Sequence, residues 1–341
     1  MLTRVEPCSS EALRRAAELI HAGEVVGFPT ETVYGLAADA LNPDAVMKIF
    51  AAKDRPADNP LIVHITDISQ IDRLISGNMS ATARKLAELF WPGPLTMIFP
   101  KSELIPDCVS AGLNTVGIRM PANQDALRFI ETCGCPIAAP SANRSGRPSP
   151  TTAKHVLEDM DGRIHMILDG GECSVGLEST VLDVTGDVPR VLRPGGVTPE
   201  MIAEAVGGCR VDDSVMRPLK EGEKPRSPGM KYRHYAPKGS LTIFEGEPEE
   251  VAAAICEAYD EAGEGALILA LTEHMPLYGE RNVISLGADA HEMAHKLFDE
   301  LRAADEMGAH HIFSEAVPGK GIGLAVMNRL GRAAAFNIEK L

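Results

Sequence analysis

The sequence has 341 residues, of which 45% are hydrophobic and 24% are charged; these ordinary globular values exclude a disordered or fibrous chain. The length favours one large domain plus a smaller one. The formal net charge of -15 disfavours non-specific binding to nucleic acid. A local basic site is still compatible with this charge, because salt screens each field within about 8 Å.

The cysteine pattern and the N-terminal segment indicate where the protein acts. Seven cysteines are scattered without a CxxC pair, which predicts neither a disulfide framework nor a zinc site. The N-terminal segment has no apolar signal region, and no run of 18 uncharged apolar residues follows. We therefore expect a cytoplasmic protein with no membrane partner.

Strand and helix patterns alternate over the first 206 residues and predict a twisted α/β domain. One helix is expected after Ser9 or Ser10, and another after the pair Asn42-Pro43, which supplies a cap and a first-turn proline. Further helices are expected at 81–90, 123–132 and 151–160, and strands at 24–28, 61–65, 95–99, 116–120, 136–139, 166–168, 179–184 and 190–192. The order of these strands in the sheet stays open.

The second half of the chain changes character at residue 207. Residues 207–239 are rich in Gly, Pro and charge and have no sustained period, which predicts an interdomain linker. From residue 240 strands and helices alternate again, at the spacing of a small Rossmann-like α/β domain. The sequence thus predicts a large domain at 1–206, a linker at 207–239 and a small domain at 240–341.

Two polar segments border predicted strands in the large domain. Residues 27–40 are rich in Gly, Thr and Pro, and strand ends of α/β sheets often meet ligands, although a plain turn explains this segment equally well. In 53–64, Lys53 supplies a point charge and Arg55 a planar fork, which together suit a triphosphate. His64 lies within an apolar strand, where a core histidine is the more common role.

Three further segments carry candidate ligand groups. Arg119 on an apolar strand is costly to bury unless an anion meets it, and a structural ion pair is almost as good an explanation. The hydroxyl and amide groups of 136–156 suit a nucleotide or another anion. Asp169 and Glu178 form a candidate carboxylate pair that would hold Mg²⁺ through water.

Taken together, the ordered motifs resemble the YrdC-type domain of the threonylcarbamoyl-AMP synthase family. The matching segments are GFPTETVYGLAADA at 27–40, the triplet Lys53-Asp54-Arg55, NPLIVH at 59–64, FWPGPLT at 90–96, VGIRMP at 116–121, the triplet Ser141-Ala142-Asn143 and GLESTVLDV at 176–184. The linker motif SPGMKYRHYAP at 227–237 and the trailing domain resemble the longer, two-domain branch of that family.

The resemblance implies a concave, basic active site and a nucleotidyltransferase. Its substrates would be L-threonine, bicarbonate and ATP with Mg²⁺, and its products threonylcarbamoyl-AMP and pyrophosphate. The product would pass to downstream tRNA threonylcarbamoyl transferase proteins, with at most weak contact to tRNA itself. No metal ligands follow from the resemblance.

The resemblance also assigns roles to individual residues. The catalytic residues would be Lys53, Arg55, Ser141 and Asn143. The threonine contacts would be Thr32, His64, Arg119, Ala139 and Ser179. The ATP contacts would be Arg55, Asn59, Thr115, Ser141, Ser149, Arg193, Tyr232 and Tyr235, with either tyrosine of the linker closing over the pocket as a lid.

Three alternatives stay open on the sequence alone. A carbamoyl-AMP-forming relative would use the same domain, but such proteins carry zinc-finger and acylphosphatase segments that this sequence lacks. A non-enzymatic RNA-binding module conflicts with the charge of -15. Finally, GKGIG at 319–323 would make the C-terminal domain the nucleotide site, although it lacks the spacing and the Lys-Ser/Thr pair of a phosphate loop.

Overall fold

The chain divides into two compact units. The computed structural model describes residues 2–217 and 234–341. Within these, the first unit holds 2–145 and 149–215, and the second holds 146–148, 216–217 and 234–341. The domain boundaries proposed at 206 and 240 stay predictions. No helix in the described ranges is long and apolar enough to cross a membrane.

The helices of the first unit begin where the sequence supplies caps. The Ser9 hydroxyl accepts the Ala12 N–H at the start of α1, and the Asn42 side chain caps α2. The helices are α1 Ser10–His21, α2 Pro43–Lys53, α3 Ile71–Leu74, α4 Ala81–Phe90, α5 Asp107–Ser110, α6 Gln124–Cys133, α7 Ala153–Met160 and α8 Pro199–Val206. The predicted helices are confirmed to within three residues, whereas α3, α5 and α8 were not predicted.

The first unit is built on one mixed sheet of eleven strands. The strands are β1 Arg4–Pro7, β2 Val26–Phe28, β3 Gly35–Asp39, β4 Ile62–His64, β5 Leu95–Pro100, β6 Thr115–Arg119, β7 Ile137–Ala139, β8 Met166–Asp169, β9 Thr180–Asp183, β10 Arg190–Arg193 and β11 Arg210–Val211. Their order is β1-β8-β2-β3-β7-β4-β6-β5-β9-β10-β11. The predicted strands are confirmed, and β1, β3 and β11 are additional.

One face of this sheet is only partly covered. Helices α1 and α6 pack on the β2, β3, β7 and β8 side, where Phe28 and Phe129 belong to one hydrophobic cluster. Further along the same face, Thr115 and Gly117 are only half-buried, and a cavity is lined there by Thr96 and both of these residues. We call the part of this face that lies beyond α1 and α6, over β4, β6, β5 and β9, the open face.

The second unit contains a five-stranded parallel sheet. Its elements are β12 Ser240–Glu245, α9 Pro248–Ala262, β13 Ala266–Ala270, β14 Val283–Ser285, α10 Ala290–Glu306, β15 His311–Glu315, α11 Ile322–Ala333 and β16 Ile338–Lys340. The order β14-β13-β15-β12-β16 corresponds to 3-2-4-1-5 within the unit. The small α/β domain is confirmed, with a strand order that differs from the 3-2-1-4-5 of the dinucleotide fold.

Candidate active site

Strand register gathers the predicted site residues on the open face. His64 lies opposite Arg119, and Thr96 lies opposite Arg119 from the other side. Residues directly opposite one another share a face of the sheet. Ala139 lies opposite Ile62 in the middle of the same face. Four residues far apart in the sequence therefore point to one surface.

The open face has two ends, which we call the Arg119 end and the Thr115 end. These residues are four positions apart on β6, which is about 13 Å at roughly 3.3 Å per residue. A bridge between Gly35 and Ser141 continues the pairing of β3 with β7, so Ser141 follows Ala139 toward the Thr115 end.

Arg119 is the centre of the Arg119 end and is held by three groups. Its Nη2 lies 2.7 Å from Glu31 Oε1. Nη1 donates to Thr32 Oγ1 at 2.8 Å, and Nε donates to the Gly93 carbonyl at 3.3 Å. Thr32 belongs to the loop between β2 and β3, so this loop folds over the sheet face to reach Arg119. Two nitrogens of the guanidinium donate hydrogen bonds, and the third is held by the ion pair with Glu31.

The same loop is ordered by its own hydrogen bonds. Thr30 donates its hydroxyl to the Val33 carbonyl at 2.6 Å, and its Oγ1 lies 2.8 Å from Thr32 Oγ1. Burial disfavours the charged form of Glu31, but the Arg119 guanidinium and the backbone N–H groups of Ala122 and Glu31 together outweigh it and hold the pKa of Glu31 below its ordinary value. Glu31 and Arg119 therefore form a charged, buried pair.

His64 lies beside this pair and is neutral at physiological pH. Burial, together with the nearby Arg119 cation, lowers the pKa of His64 to about 3. Its ring meets the Phe28 ring edge-on at 6.0 Å. Among the described residues, Nδ1 of His64 has no hydrogen-bond partner. A neutral imidazole with such a nitrogen is suited to bind a polar ligand atom.

Ser179 completes the Arg119 end. Its hydroxyl lies 2.7 Å from the Thr96 hydroxyl. Arg193 donates from Nε to the Ser179 carbonyl at 3.1 Å and from Nη2 to the Ser179 hydroxyl at 3.2 Å. Arg193, which the resemblance assigns to ATP, is thus bonded directly to a predicted threonine contact.

At the Thr115 end, the Lys-x-Arg and Ser-x-Asn motifs meet. Lys53 is the last residue of α2, and its buried Nζ donates to the carbonyls of Ser141 and Asn143 at 2.5 Å each. The Ser141 hydroxyl donates to Asn143 Oδ1 at 2.5 Å. The Lys53 ammonium therefore orders the loop after β7 and brings positive charge to it.

Arg55 and Asn59 extend this end of the site. Nη2 of Arg55 donates to the Asn59 carbonyl at 2.9 Å, and its guanidinium lies 5.6 Å from the centre of the Phe50 ring. Asn59 is fully buried, and within the described ranges its side-chain amide has no hydrogen-bond partner. An unsatisfied buried amide is costly, so Asn59 is well suited to meet a ligand.

Asp54, between Lys53 and Arg55, adds a contact that the sequence did not predict. It adopts a left-handed backbone conformation with φ of 52°. Its Oδ2 lies 2.9 Å from Arg144 Nη2 and 2.9 Å from Arg163 Nη1. Asp54 and Lys53 together tie the end of α2 to the loop after β7.

Ser149, Asp169 and Glu178 form hydrogen bonds with protein groups. Ser149 is fully buried and donates to Glu178 Oε1 at 2.6 Å. Asp169 accepts instead from the Tyr34 hydroxyl at 3.4 Å and the Gly171 N–H at 2.9 Å. No group of three or more His, Cys, Asp and Glu side chains in the described part of the chain is arranged to hold a metal ion. Asp169 and Glu178 thus have different hydrogen-bond partners, and the Mg²⁺ pair stays a prediction.

The two predicted tyrosine contacts belong to the linker. Tyr232 lies outside the described residues. Tyr235 lies in the second unit, where its buried ring is 5.1 Å from the Phe298 ring and 5.9 Å from the Arg329 guanidinium. The lid hypothesis stays a prediction.

Sequence reasoning missed Glu31, Asp54 and Thr96. Glu31 and Asp54 each lie inside a motif next to predicted residues, and this adjacency was the available signal. Thr96 likewise ends the motif FWPGPLT at 90–96, but nothing in the sequence reveals its partner Ser179, which is 83 positions away.

Comparisons with known proteins agree over nearly the whole chain. A family model covering Sua5, YciO and YrdC proteins, described as "Telomere recombination", matches residues 18–195. A model described as "Threonylcarbamoyl-AMP synthase, C-terminal domain" matches residues 197–335. The two matches leave only short terminal segments outside.

Curated relatives and a solved structure extend this similarity. A Bacillus subtilis protein named threonylcarbamoyl-AMP synthase is 50% identical over 96% of this chain and 94% of its own length. A Pyrococcus abyssi protein of the same name is 46% identical over 96% of each chain. The crystal structure of P. abyssi Sua5 complexed with L-threonine has a TM-score of 0.92 and 44% identity, covering 100% of this chain and 99% of that one. The chain therefore belongs to the threonylcarbamoyl-AMP synthase family, in its two-domain form with a Sua5, YciO and YrdC-type domain and a C-terminal domain.

Proposed function

We propose that the chain is a nucleotidyltransferase that condenses L-threonine, bicarbonate and ATP to threonylcarbamoyl-AMP and pyrophosphate. The observation that carries this proposal is the pair of ends on one open face. One end has a buried guanidinium and a neutral imidazole, and the other has a buried ammonium bound to loop carbonyls. The names of the relatives and the threonine bound to the P. abyssi protein support the same activity.

The Arg119 end is suited to an amino acid. A planar guanidinium recognises a carboxylate with two parallel hydrogen bonds, and Arg119 is held in a fixed plane by its three partners. His64 and the Ser179 hydroxyl provide polar groups for the rest of the amino acid. The amine of threonine would combine with bicarbonate, releasing water, and so form a carbamate.

The Thr115 end is suited to the phosphates of ATP. The carbamate oxygen would attack the α-phosphorus, and the bond to the pyrophosphate oxygen would break. This reaction requires no protein nucleophile, only positioning and charge neutralisation. Lys53 and Arg55 would supply that positive charge. Ser141 and Asn143 would lie beside the phosphates. We propose that Mg²⁺ arrives with ATP and neutralises phosphate charge when bound.

The product is a mixed anhydride of a carbamic acid and a phosphate, which is short-lived in water. We propose that tRNA threonylcarbamoyl transferase proteins consume it. The net charge of -15 supports delivery to such partners rather than strong binding of tRNA by this chain.

Pyrophosphate release tests the proposed function. The assay combines the protein with ATP, Mg²⁺ and bicarbonate and compares L-threonine, L-serine and no amino acid. We expect release that depends on L-threonine and on bicarbonate. Equal release with serine, or equal release without any amino acid, would contradict the substrate assignment.

A further inference from the structure

Glu31 is a buried carboxylate at the Arg119 end to which no role has been given. Its side chain is 8% exposed, and that of Arg119 is 4% exposed. A carboxylate in such a place is costly unless it is paired. Its Oε1 lies 2.7 Å from Arg119 Nη2, so the pairing is direct.

Hydrogen bonds of the surrounding loop fix the position of Glu31. Its backbone carbonyl accepts the Val175 N–H at 2.8 Å. The flanking residues Thr30 and Thr32 have hydroxyl groups 2.8 Å apart, and Thr32 accepts from Arg119. The loop thus presents two adjacent oxygen groups, one carboxylate and one hydroxyl, to the two terminal nitrogens of one guanidinium.

This arrangement limits how Arg119 can move. A free arginine side chain samples many rotamers, and ordering it costs free energy when a ligand binds. Here Thr32 and the Gly93 carbonyl accept hydrogen bonds from two nitrogens, and the Glu31 carboxylate forms an ion pair with the third, before any ligand arrives. The guanidinium is therefore oriented in advance for a ligand carboxylate.

We propose that Glu31 is a positioning residue that orients Arg119 and thereby sets the affinity of the site for the carboxylate of the amino-acid substrate. This inference rests on the proposed function, because the ligand of the Arg119 end is taken to be an amino acid. We expect little effect on ATP, because the proposed ATP contacts Arg55, Asn59 and Thr115 lie at the other end of the face.

Two substitutions separate positioning from charge. Glu31→Gln keeps an oxygen at the same reach but removes the charge, whereas Glu31→Asp keeps the charge but withdraws the oxygen by one methylene. Misplacement of a binding group by about 1 Å can cost up to roughly a hundredfold. Positioning therefore predicts that Glu31→Asp weakens threonine binding by about tenfold or more, and that Glu31→Gln stays within about threefold of the unchanged protein.

The experiment measures the Kd values of L-threonine and of ATP separately by titration calorimetry on the full chain. Glu88 is exposed on α4, so Glu88→Gln and Glu88→Asp are matched controls, and circular dichroism checks folding. We expect a loss of threonine affinity in Glu31→Asp with an unchanged ATP Kd. Threonine affinity retained in Glu31→Asp, or an equal loss for ATP, would overturn the proposal. If the unchanged protein binds ATP but no threonine, the proposed function fails as well.

Discussion

Gly117 offers a change that alters the open face while leaving the fold in place. It lies in the middle of β6, between Thr115 and Arg119, and is half-buried. A Cβ built there would stand on the open face, 3.1 Å from Thr96 Cγ2 and 3.8 Å from Ile62 Cγ1. Gly117→Ala therefore adds one methyl group to the surface that the proposed substrates would cover.

The expected effect on stability is small because two terms oppose each other. Replacing glycine by alanine in an extended strand stabilises a protein by about 0.4–1 kcal/mol through the unfolded chain. A contact of 3.1 Å with the buried Thr96 side chain is tight, and overpacking of this kind costs roughly 1–3 kcal/mol. With a single methyl involved, we expect a net loss of about 1 kcal/mol and a Tm shift of a few degrees, roughly 2–4 °C.

The expected effect on activity is much larger. The methyl displaces a ligand lying on the face by about 1 Å, which can lower kcat/KM by about a hundredfold. Gly186→Ala is the matched control, because nothing lies within 4 Å of its added Cβ. The assay is threonine-dependent pyrophosphate release, with a thermal melt of each variant. A folded Gly117→Ala protein with unchanged kcat/KM would refute the assignment of the open face as the substrate surface.

Other changes test individual groups. Arg55→Ala should lower kcat/KM by about ten- to a hundredfold, since a hydrogen bond to a charged group contributes about 1.5–3 kcal/mol; kinetics matching an exposed Arg73→Ala control would remove Arg55 from the site. Lys53→Met should lower the free energy of unfolding by about 1–3 kcal/mol, because two loop carbonyls lose their donor; an unchanged urea midpoint would argue against this contact. His64 takes up its proton at pH about 3 when folded but near pH 6.5 when unfolded. Because the unfolded chain then binds more protons, stability should fall as the pH drops below about 6.5, by up to roughly 1.4 kcal/mol per pH unit. His64→Gln should flatten this dependence, and a control His165→Gln, with a half-exposed side chain, should not; equal slopes in urea unfolding would contradict the burial argument.

Local signals in the sequence were sufficient for most helices and strands. Ser9 and Asn42 cap helices where the capping preference predicts them. Strand β3, Gly35–Asp39, was missed because the Thr- and Pro-rich run before it favoured a turn. The strand order depends on pairings between distant segments, such as β1 with β8, and single-sequence patterns carry no information on them.

The candidate site was predicted as separate motifs but not as an arrangement. The meeting of Lys53 with Ser141 across 88 positions is a property of the folded sheet. The sequence left open whether Arg119 meets a carboxylate of the protein or a ligand, and the structure shows a protein partner, Glu31. That partner lies 88 positions upstream in a loop with no charge pattern that would reveal the contact.

Isotope labelling of the product tests the central claim most directly. The chain is incubated with ATP, Mg²⁺, ¹³C-bicarbonate and ¹⁵N-threonine, and the nucleotide products are analysed by rapid mass spectrometry. The proposed reaction predicts one AMP-linked product that carries both labels, formed together with pyrophosphate. An AMP-linked product with the ¹³C label alone, or the release of unmodified AMP without any labelled adduct, would contradict it.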